Sequence, residues 1–118
     1  MSPSINLKGV SSLGVADKID SEYPFFLLYL RSLVTEQAER LPLLRMAVEK
    51  DVFKNTAKYV GRVVELVVKW RYAQSRACEV LAAKTPARGL RDFLLKLSQS
   101  ITSGETMGDF IGREWENF

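Results

Sequence analysis

The chain has 118 residues, with 17 Lys and Arg against 14 Asp and Glu, one cysteine and no histidine. The length fits a single domain, and 47% hydrophobic with 26% charged residues is an ordinary globular composition. Without histidine the chain has no Ser–His–Asp triad, no Cys–His pair and no imidazole metal site, and a lone Cys78 makes no internal disulfide or thiolate metal cage. We therefore expect a protein that is not an enzyme and that holds no cofactor and no metal.

Residues 1–20 mix Ser, Gly and Asn with isolated aliphatic residues, without a regular period, and this predicts a flexible arm or linker. From residue 21 onward the pattern is helical almost to the end, which places a helical domain at 21–118. The segment Ser-Glu-Tyr-Pro at 21–24 is typical of a helix start, with a capping serine, an acid in the first turn and an early proline. Residues 25–34 are apolar on nearly all sides, which predicts a central helix.

A second, short helix is predicted at about 42–50, and a third at about 55–70. The charged residues of the third helix recur every three or four positions, so they lie on one stripe, and the apolar remainder up to Val68 is expected to be covered by neighbouring helices. The charged residues of this stripe are Lys54, Lys58, Arg62, Glu65 and Lys69.

A fourth helix is predicted at about 72–84, because the residue before Pro86 disfavours helical geometry. The fifth, at about 89–103, has an amphipathic face and ends at Gly104, a natural C-terminal cap. That face consists of Leu90, Phe93, Leu94, Leu97 and Ile101. Thr106 and Asp109 resemble a capping box that opens a sixth helix. The sequence therefore predicts an all-α fold, a compact bundle of about six mostly antiparallel helices.

Three glycines four residues apart, Gly104, Gly108 and Gly112, match neither a dinucleotide fingerprint nor a phosphate-binding loop, and we expect them to permit close helix packing. Glu114 and Glu116 are two residues apart on a helix, so they point to different sides and form no paired acid–base site. Cys78 lies among apolar residues, which predicts a buried, inert thiol.

The net charge of +3 is unevenly distributed along the chain. Residues 1–53 carry six basic and seven acidic groups, residues 54–96 carry ten and three, and residues 97–118 carry one and four. A basic middle segment favours an acidic protein surface first, anionic headgroups second and nucleic acid third, since no nucleic-acid reader motif accompanies it. A solvated face without a partner is the alternative. The basic residues concerned are Arg62, Lys69, Arg71, Arg76, Lys84, Arg88 and Arg91.

Several segments resemble a known family. The block Phe-Phe-Leu-Leu-Tyr-Leu at 25–30, after a proline, is similar to the opening of the cytoplasmic helical domain of the type II secretion F and type IV pilus platform proteins. Archaeal members, above all archaellum platform proteins, typically show a run of the kind AKRTPS…FADFLxRLA…SGE…FLxxE. The matching stretches here are AAKTP at 82–86, LRDFL at 90–94, SQSITSGE at 98–105 and FIGRE at 110–114. The resemblance covers about residues 23–116.

One departure concerns the bend after the third helix, where members often have Trp-Gly-Tyr and this chain has Trp70-Arg71-Tyr72. Arg71 thus occupies a position where glycine would give the backbone more conformational freedom. The aromatic residues there are expected mainly in the core, with an interface as the alternative, and the same holds for Tyr29 and Trp115.

The resemblance implies the cytoplasmic domain of a polytopic cell-membrane protein beneath a growing filament. Its implied partners are a hexameric secretion ATPase, other membrane-embedded parts of the platform and the filament subunits, with a homodimer as a further possibility and no specific nucleic acid. The residues expected to contact the ATPase or the adjacent membrane surface are Arg62, Lys69, Arg71, Arg76, Arg88 and Arg91. The alternatives are the same role in another archaeal type IV pilus, or a soluble helical adaptor or nucleic-acid-binding domain.

Overall fold

The computed structural model describes the backbone of residues 3–118 and the side chains of residues 14–118. Its elements are α1 (Pro3–Leu33), α2 (Arg40–Val48), a 3₁₀ turn (Asp51–Phe53), α3 (Lys54–Val68), α4 (Gln74–Lys84), α5 (Arg88–Ser103) and α6 (Met107–Glu116). The described part of the chain contains six α-helices and no strand. The predicted all-α bundle is therefore confirmed, and the bounds of α2 to α6 agree with the prediction to within about two residues.

The first helix begins well before its predicted start. We expected residues 1–20 to form an arm and the helix to open at Ser21, but the helical backbone is continuous from Pro3. The first two residues of the predicted arm lie outside the described residues. The division of the chain into an arm and a helical domain at residue 20 stays a prediction, whereas the irregular backbone expected for residues 3–20 is wrong.

The segment at 21–24 does not open a helix. The hydroxyl of Ser21 donates to the carbonyl of Asp17, one turn back, at 2.9 Å, and Pro24 lies inside α1. The signal that was missed is apolar spacing, because Ile19 lies four residues before Tyr23 and both side chains are buried. Tertiary burial of this face holds the helix through a stretch whose composition alone indicates a linker.

The predicted central helix is confirmed by the packing of α1, which contacts α2, α3, α5, α6 and the 3₁₀ turn. Phe26 on α1 lies edge-on to Phe53 of the 3₁₀ turn, with ring centroids 6.0 Å apart, and to Phe93 of α5 at 5.6 Å. Phe93 in turn contacts Phe110 of α6 at 5.4 Å. Edge-to-face aromatic pairs add directional contacts to the burial of apolar area. This cluster therefore joins α1, α5, α6 and the turn before α3.

The predicted apolar face of α5, its end at Gly104 and the cap of α6 at Thr106 are confirmed. Four residues of the predicted α5 face are buried, and Ile101 is partly buried against them. Gly104 ends α5 with a φ of +79°, and the hydroxyl of Thr106 accepts from the backbone N–H of Asp109 at 3.1 Å. Of the three spaced glycines, Gly108 permits a close approach, since a Cβ there would lie 3.4 Å from the carbonyl oxygen of Thr35. The packing role expected for the other two is not seen, because a Cβ at either would meet open space.

A carboxylate on α1 caps α3. Glu22 accepts from the backbone N–H of Thr56 at 2.8 Å, from the side-chain amide of Asn55 at 2.7 Å and from its backbone N–H at 3.3 Å. The residue in the N-cap position, Phe53, offers no side-chain acceptor. Glu22 thus satisfies two N–H groups of the first turn and faces the positive end of the helix. Burial raises the pKa of Glu22, but the hydrogen bonds from Asn55 and Thr56 outweigh it and lower the pKa.

We predict that Glu22→Gln lowers the free energy of unfolding at neutral pH by about 1 kcal/mol, the usual scale for losing a charged cap at a partly exposed site. Because the folded-state pKa is lowered, the contribution is present above the unfolded-state pKa, near 4.5, and is lost as the pH falls through the folded-state value. Urea unfolding of both proteins at neutral and acid pH measures this difference, which should shrink in acid. Glu36→Gln, in the exposed turn after α1, is the control. An equal loss there would contradict the capping role.

Candidate functional site

The six basic residues predicted to bind a partner form two groups. Because α4 has 11 residues, its two ends lie about 16 Å apart. Four of the six residues belong to α3, the bend after it and the first turn of α4, and the other two belong to the start of α5, beyond the far end of α4. The first group is Arg62, Lys69, Arg71 and Arg76, and the second is Arg88 and Arg91.

Carboxylates neutralise part of this basic surface. The pairs are Arg62–Glu65, Lys69–Glu65 at 3.7 Å, Arg76–Glu79 at 3.4 Å and Arg88–Asp92 at 3.9 Å. Each joins neighbours on one exposed helix face, where ion pairs contribute little to stability. Within the described residues, Arg71 and Arg91 have no carboxylate within 4.0 Å. Neither of these two guanidinium groups is neutralised by an ion pair with a described side chain.

The bend between α3 and α4 places an arginine between two exposed aromatic rings. Trp70 is 63% exposed and Tyr72 is 41% exposed, so the expected core placement of these two residues is wrong. Arg71 has a φ of +60° and is the one non-glycine residue with a positive φ in the described part of the chain. The backbone N–H of Tyr72 donates to the carbonyl of Leu66 at 3.0 Å, which closes the end of α3. Such a left-handed position after a helix is normally glycine, and this explains the Trp-Gly-Tyr pattern of the resembling family.

Trp115 and Val68 are also more exposed than expected, whereas Tyr29 is partly buried. Trp115 is 36% exposed and stacks on Phe118, with ring centroids 6.4 Å apart, whereas Tyr29 is partly buried against Phe53. Val68, which was expected to be covered, is 48% exposed. The last turn of α3 therefore presents an apolar side chain next to the aromatic bend.

The Ser-Gly-Glu turn that carries much of the family resemblance is a structural junction. The carboxylate of Glu105 forms an ion pair with Arg113 of α6, and its carbonyl accepts from the guanidinium of Arg40 at the start of α2. The hydrogen bond from Arg113 is the main reason that the pKa of Glu105 is lowered. Sequence reasoning assigned this turn no partners, because Arg40 lies 65 residues away. The turn joins α2, α5 and α6.

Two of the remaining side chains that could take part in chemistry, Cys78 and Glu114, are buried. Cys78 is 1% exposed, which confirms the predicted buried thiol, and burial raises its pKa to about 12. Glu114 is buried, with a carboxylate oxygen 3.3 Å from Nζ of Lys96, while Glu116 is exposed, so the two acids diverge as predicted. Among the residues whose side chains are described, no group of three His, Cys, Asp or Glu residues could hold a metal ion.

None of the helices within residues 3–118 has both the length and the apolar character that a membrane crossing requires. The fold and these surfaces define an all-α domain that presents basic side chains and the aromatic residues Trp70 and Tyr72 on the outside.

The chain is similar to two curated proteins, each called Flagella accessory protein J. It is 28% identical over 99 residues to the protein from Methanocaldococcus jannaschii, a match that covers 83% of this chain and 18% of that protein. It is 28% identical over 81 residues to the protein from Methanococcus voltae, which covers 69% of this chain and 14% of that protein. The resemblance to the archaellum family is therefore confirmed. The chain spans less than a fifth of the length of these relatives.

No family model matches the chain, and no solved structure matches it.

We predict that Arg71→Gly raises the free energy of unfolding by about 0.5–1 kcal/mol, because glycine adopts a positive φ without the clash of a Cβ. Urea unfolding measures the change. Lys58→Gly, at an exposed position inside α3, is the matched control, and it is expected to lower the free energy of unfolding by about 1 kcal/mol. A loss of stability at both positions would show that the backbone of Arg71 carries no strain.

We also predict that Cys78 does not react with a thiol reagent in the folded protein at pH 8 and reacts fully in urea. With a thiol pKa raised to about 12, only about one thiol in ten thousand is ionised at that pH, and burial blocks access as well. A Ser32→Cys variant, which adds a thiol on the exposed side of α1, should react once per chain without denaturant. Rapid reaction of the unaltered protein would rule out an inert Cys78.

Proposed function

We propose that the chain is the cytoplasmic domain of an archaellum platform protein, and that it docks the secretion ATPase and couples ATPase motions to insertion of filament subunits. The observation that carries this proposal is the similarity to two flagella accessory proteins over most of the chain. The other membrane-embedded parts of the platform and the filament subunits are further proposed partners. The basic outer surface supports the docking step.

The proposed role is mechanical and not catalytic. Three of the acids serve the fold, since Glu22 caps α3, Glu105 pairs with Arg113 and Glu114 is buried beside Lys96. The relatives are named as accessory proteins, which agrees with such a role.

The two groups of basic residues suit a broad acidic partner surface. They flank α4 along its length of about 16 Å, so a partner that covers α4 would meet both groups at once. Complementary charge of this kind orients a partner and speeds its association, while apolar contacts supply most of the affinity. An acidic face on the ATPase is therefore the proposed contact.

The packing of α1 supports the coupling step. This helix is continuous over 31 residues, a length of about 46 Å, and it contacts four other helices. Packed interiors transmit displacement because they have little free volume. A push on α3 or α5 from a bound partner would therefore move α1 as one body.

We predict that charge reversal of Arg71, Arg88 and Arg91 to Glu abolishes capture of the purified archaellum ATPase by the chain in a pull-down. The reason is that opposite charges across the interface become like charges in both groups. The control reverses Lys18, Arg31 and Lys54, which are exposed outside these groups, and should leave capture intact. Circular dichroism checks that both triple variants are folded. Undiminished capture by a folded Arg71/Arg88/Arg91 variant would refute the proposed docking.

A further inference from the structure

The outer surface between α2 and α3 carries a shallow groove of about 260 Å³. Its lining residues are Arg45, Gly61, Val64, Glu65, Val68 and Lys69. The surface dips here because α3 has no side chain at Gly61, where an added Cβ would lie 3.3 Å from a methyl group of Val48 on α2. The groove therefore has an apolar floor between two helices that approach closely.

Exposed apolar side chains continue this floor at both sides. Val68 is 48% exposed, Met46 on α2 is 46% exposed, and Trp70 and Tyr72 follow Val68 at the bend. A second depression shares Arg45 with the groove and extends the surface from α2 to the start of α4, where it has a mixed charge. Its lining residues are Glu39, Leu41, Pro42, Arg45, Met46, Glu49 and Gln74. Exposed apolar side chains beside polar ones, grouped around two depressions that share Arg45, favour an interaction site here.

The rim of the groove is basic. Of its charged residues, Glu65 is already engaged by Arg62 and by Lys69. Arg45 on the rim, and Arg71 at the neighbouring bend, have no carboxylate within 4.0 Å in the part of the chain that the structure describes. A partner that fits this rim therefore carries negative charge.

Arg71 also shows that the bend is not optimised for stability alone. Its backbone is in the left-handed region, where glycine would be less strained, and its exposed side chain lacks an ion pair within the described residues. Strained conformations persist where the side chain is needed for function. Trp, Tyr and Arg, the three residues of the bend, are also the types enriched among binding hot spots.

We propose that this α2–α3 groove, together with the bend at Trp70, Arg71 and Tyr72, binds an acidic amphipathic helix of a protein partner. An apolar side chain of that helix would lie against Val64 and Val68, and its carboxylates would meet the basic rim. A helix laid into a groove is a common mode of recognition and needs the combination of apolar floor and charged edge present here. The inference rests on the proposed function for the identity of the partner, the secretion ATPase, and deepens it by naming the contact surface.

The test measures the affinity of the purified archaellum ATPase for the chain by titration calorimetry. Val68→Glu and Arg71→Gly should each weaken binding at least about tenfold, the loss expected for a hot-spot residue. Val52→Glu is the matched control, because this valine is 67% exposed on the 3₁₀ turn, away from the groove, and binding should be unchanged. Arg71→Gly is expected to be at least as stable as the unaltered chain, so its weaker binding would not come from misfolding.

The outcomes separate the groove from the wider proposal. If the ATPase binds and both groove variants bind as tightly as the unaltered chain, the groove is not the docking site and the proposed function stands. If the unaltered chain does not bind the ATPase at all, the proposed function and the groove both fail. Binding to vesicles of anionic phospholipid that Arg71→Gly abolishes, with ATPase binding unchanged, would also overturn the inference, because this surface would then meet a membrane.

Discussion

The register of α3, and with it the surface that α3 presents, depends on the contact between Glu22 of α1 and the first turn of α3. The carboxylate holds the N–H groups of Asn55 and Thr56, so α3 begins at a defined place beside α1. From that start the helical period turns Val60 and Val63 inward and the charged stripe outward. The position of the groove, which lies along the second half of α3, depends on the same register. The surface proposed to bind a partner is thus positioned by an interaction near the other end of α3.

The aromatic cluster of Phe26, Phe53, Phe93 and Phe110 adds apolar contacts between α1 and the other helices. Phe53 immediately precedes α3 and packs on Phe26, so α3 is tied to α1 by a polar and an apolar contact within three residues of each other. Phe93 and Phe110 bring α5 and α6 onto the same part of α1. Arg62 of the first group lies on α3 and the second group lies on α5, and both of these helices pack directly on α1.

Local signals in the sequence predicted the elements that local chemistry determines. The cap at Thr106, the left-handed Gly104 and the face of α5 were predictable, because each depends on residues a few positions apart. The continuation of α1 through Ser21 and Pro24 was not, since the burial of Ile19 and Tyr23 against other helices supports it and local propensity does not. The cap by Glu22 acts across 33 and 34 residues, and no pattern in the sequence signals it. The basic residues were found as types, but their division into two groups required the length of α4.

Four residues at the end of α3 and the following bend have an exposure or a backbone conformation that is unusual for their residue type. Val68 is an apolar residue left exposed, Trp70 and Tyr72 are aromatic residues outside the core, and Arg71 occupies a backbone conformation that suits glycine. The backbone conformation of Arg71 costs stability, and the three exposed side chains leave apolar area uncovered by the domain. Natural sequences retain such local conflicts chiefly where function requires them. Their occurrence at one bend, beside a groove with a basic rim, favours a shared cause outside the domain, and a bound partner would supply the missing contacts to all four side chains at once.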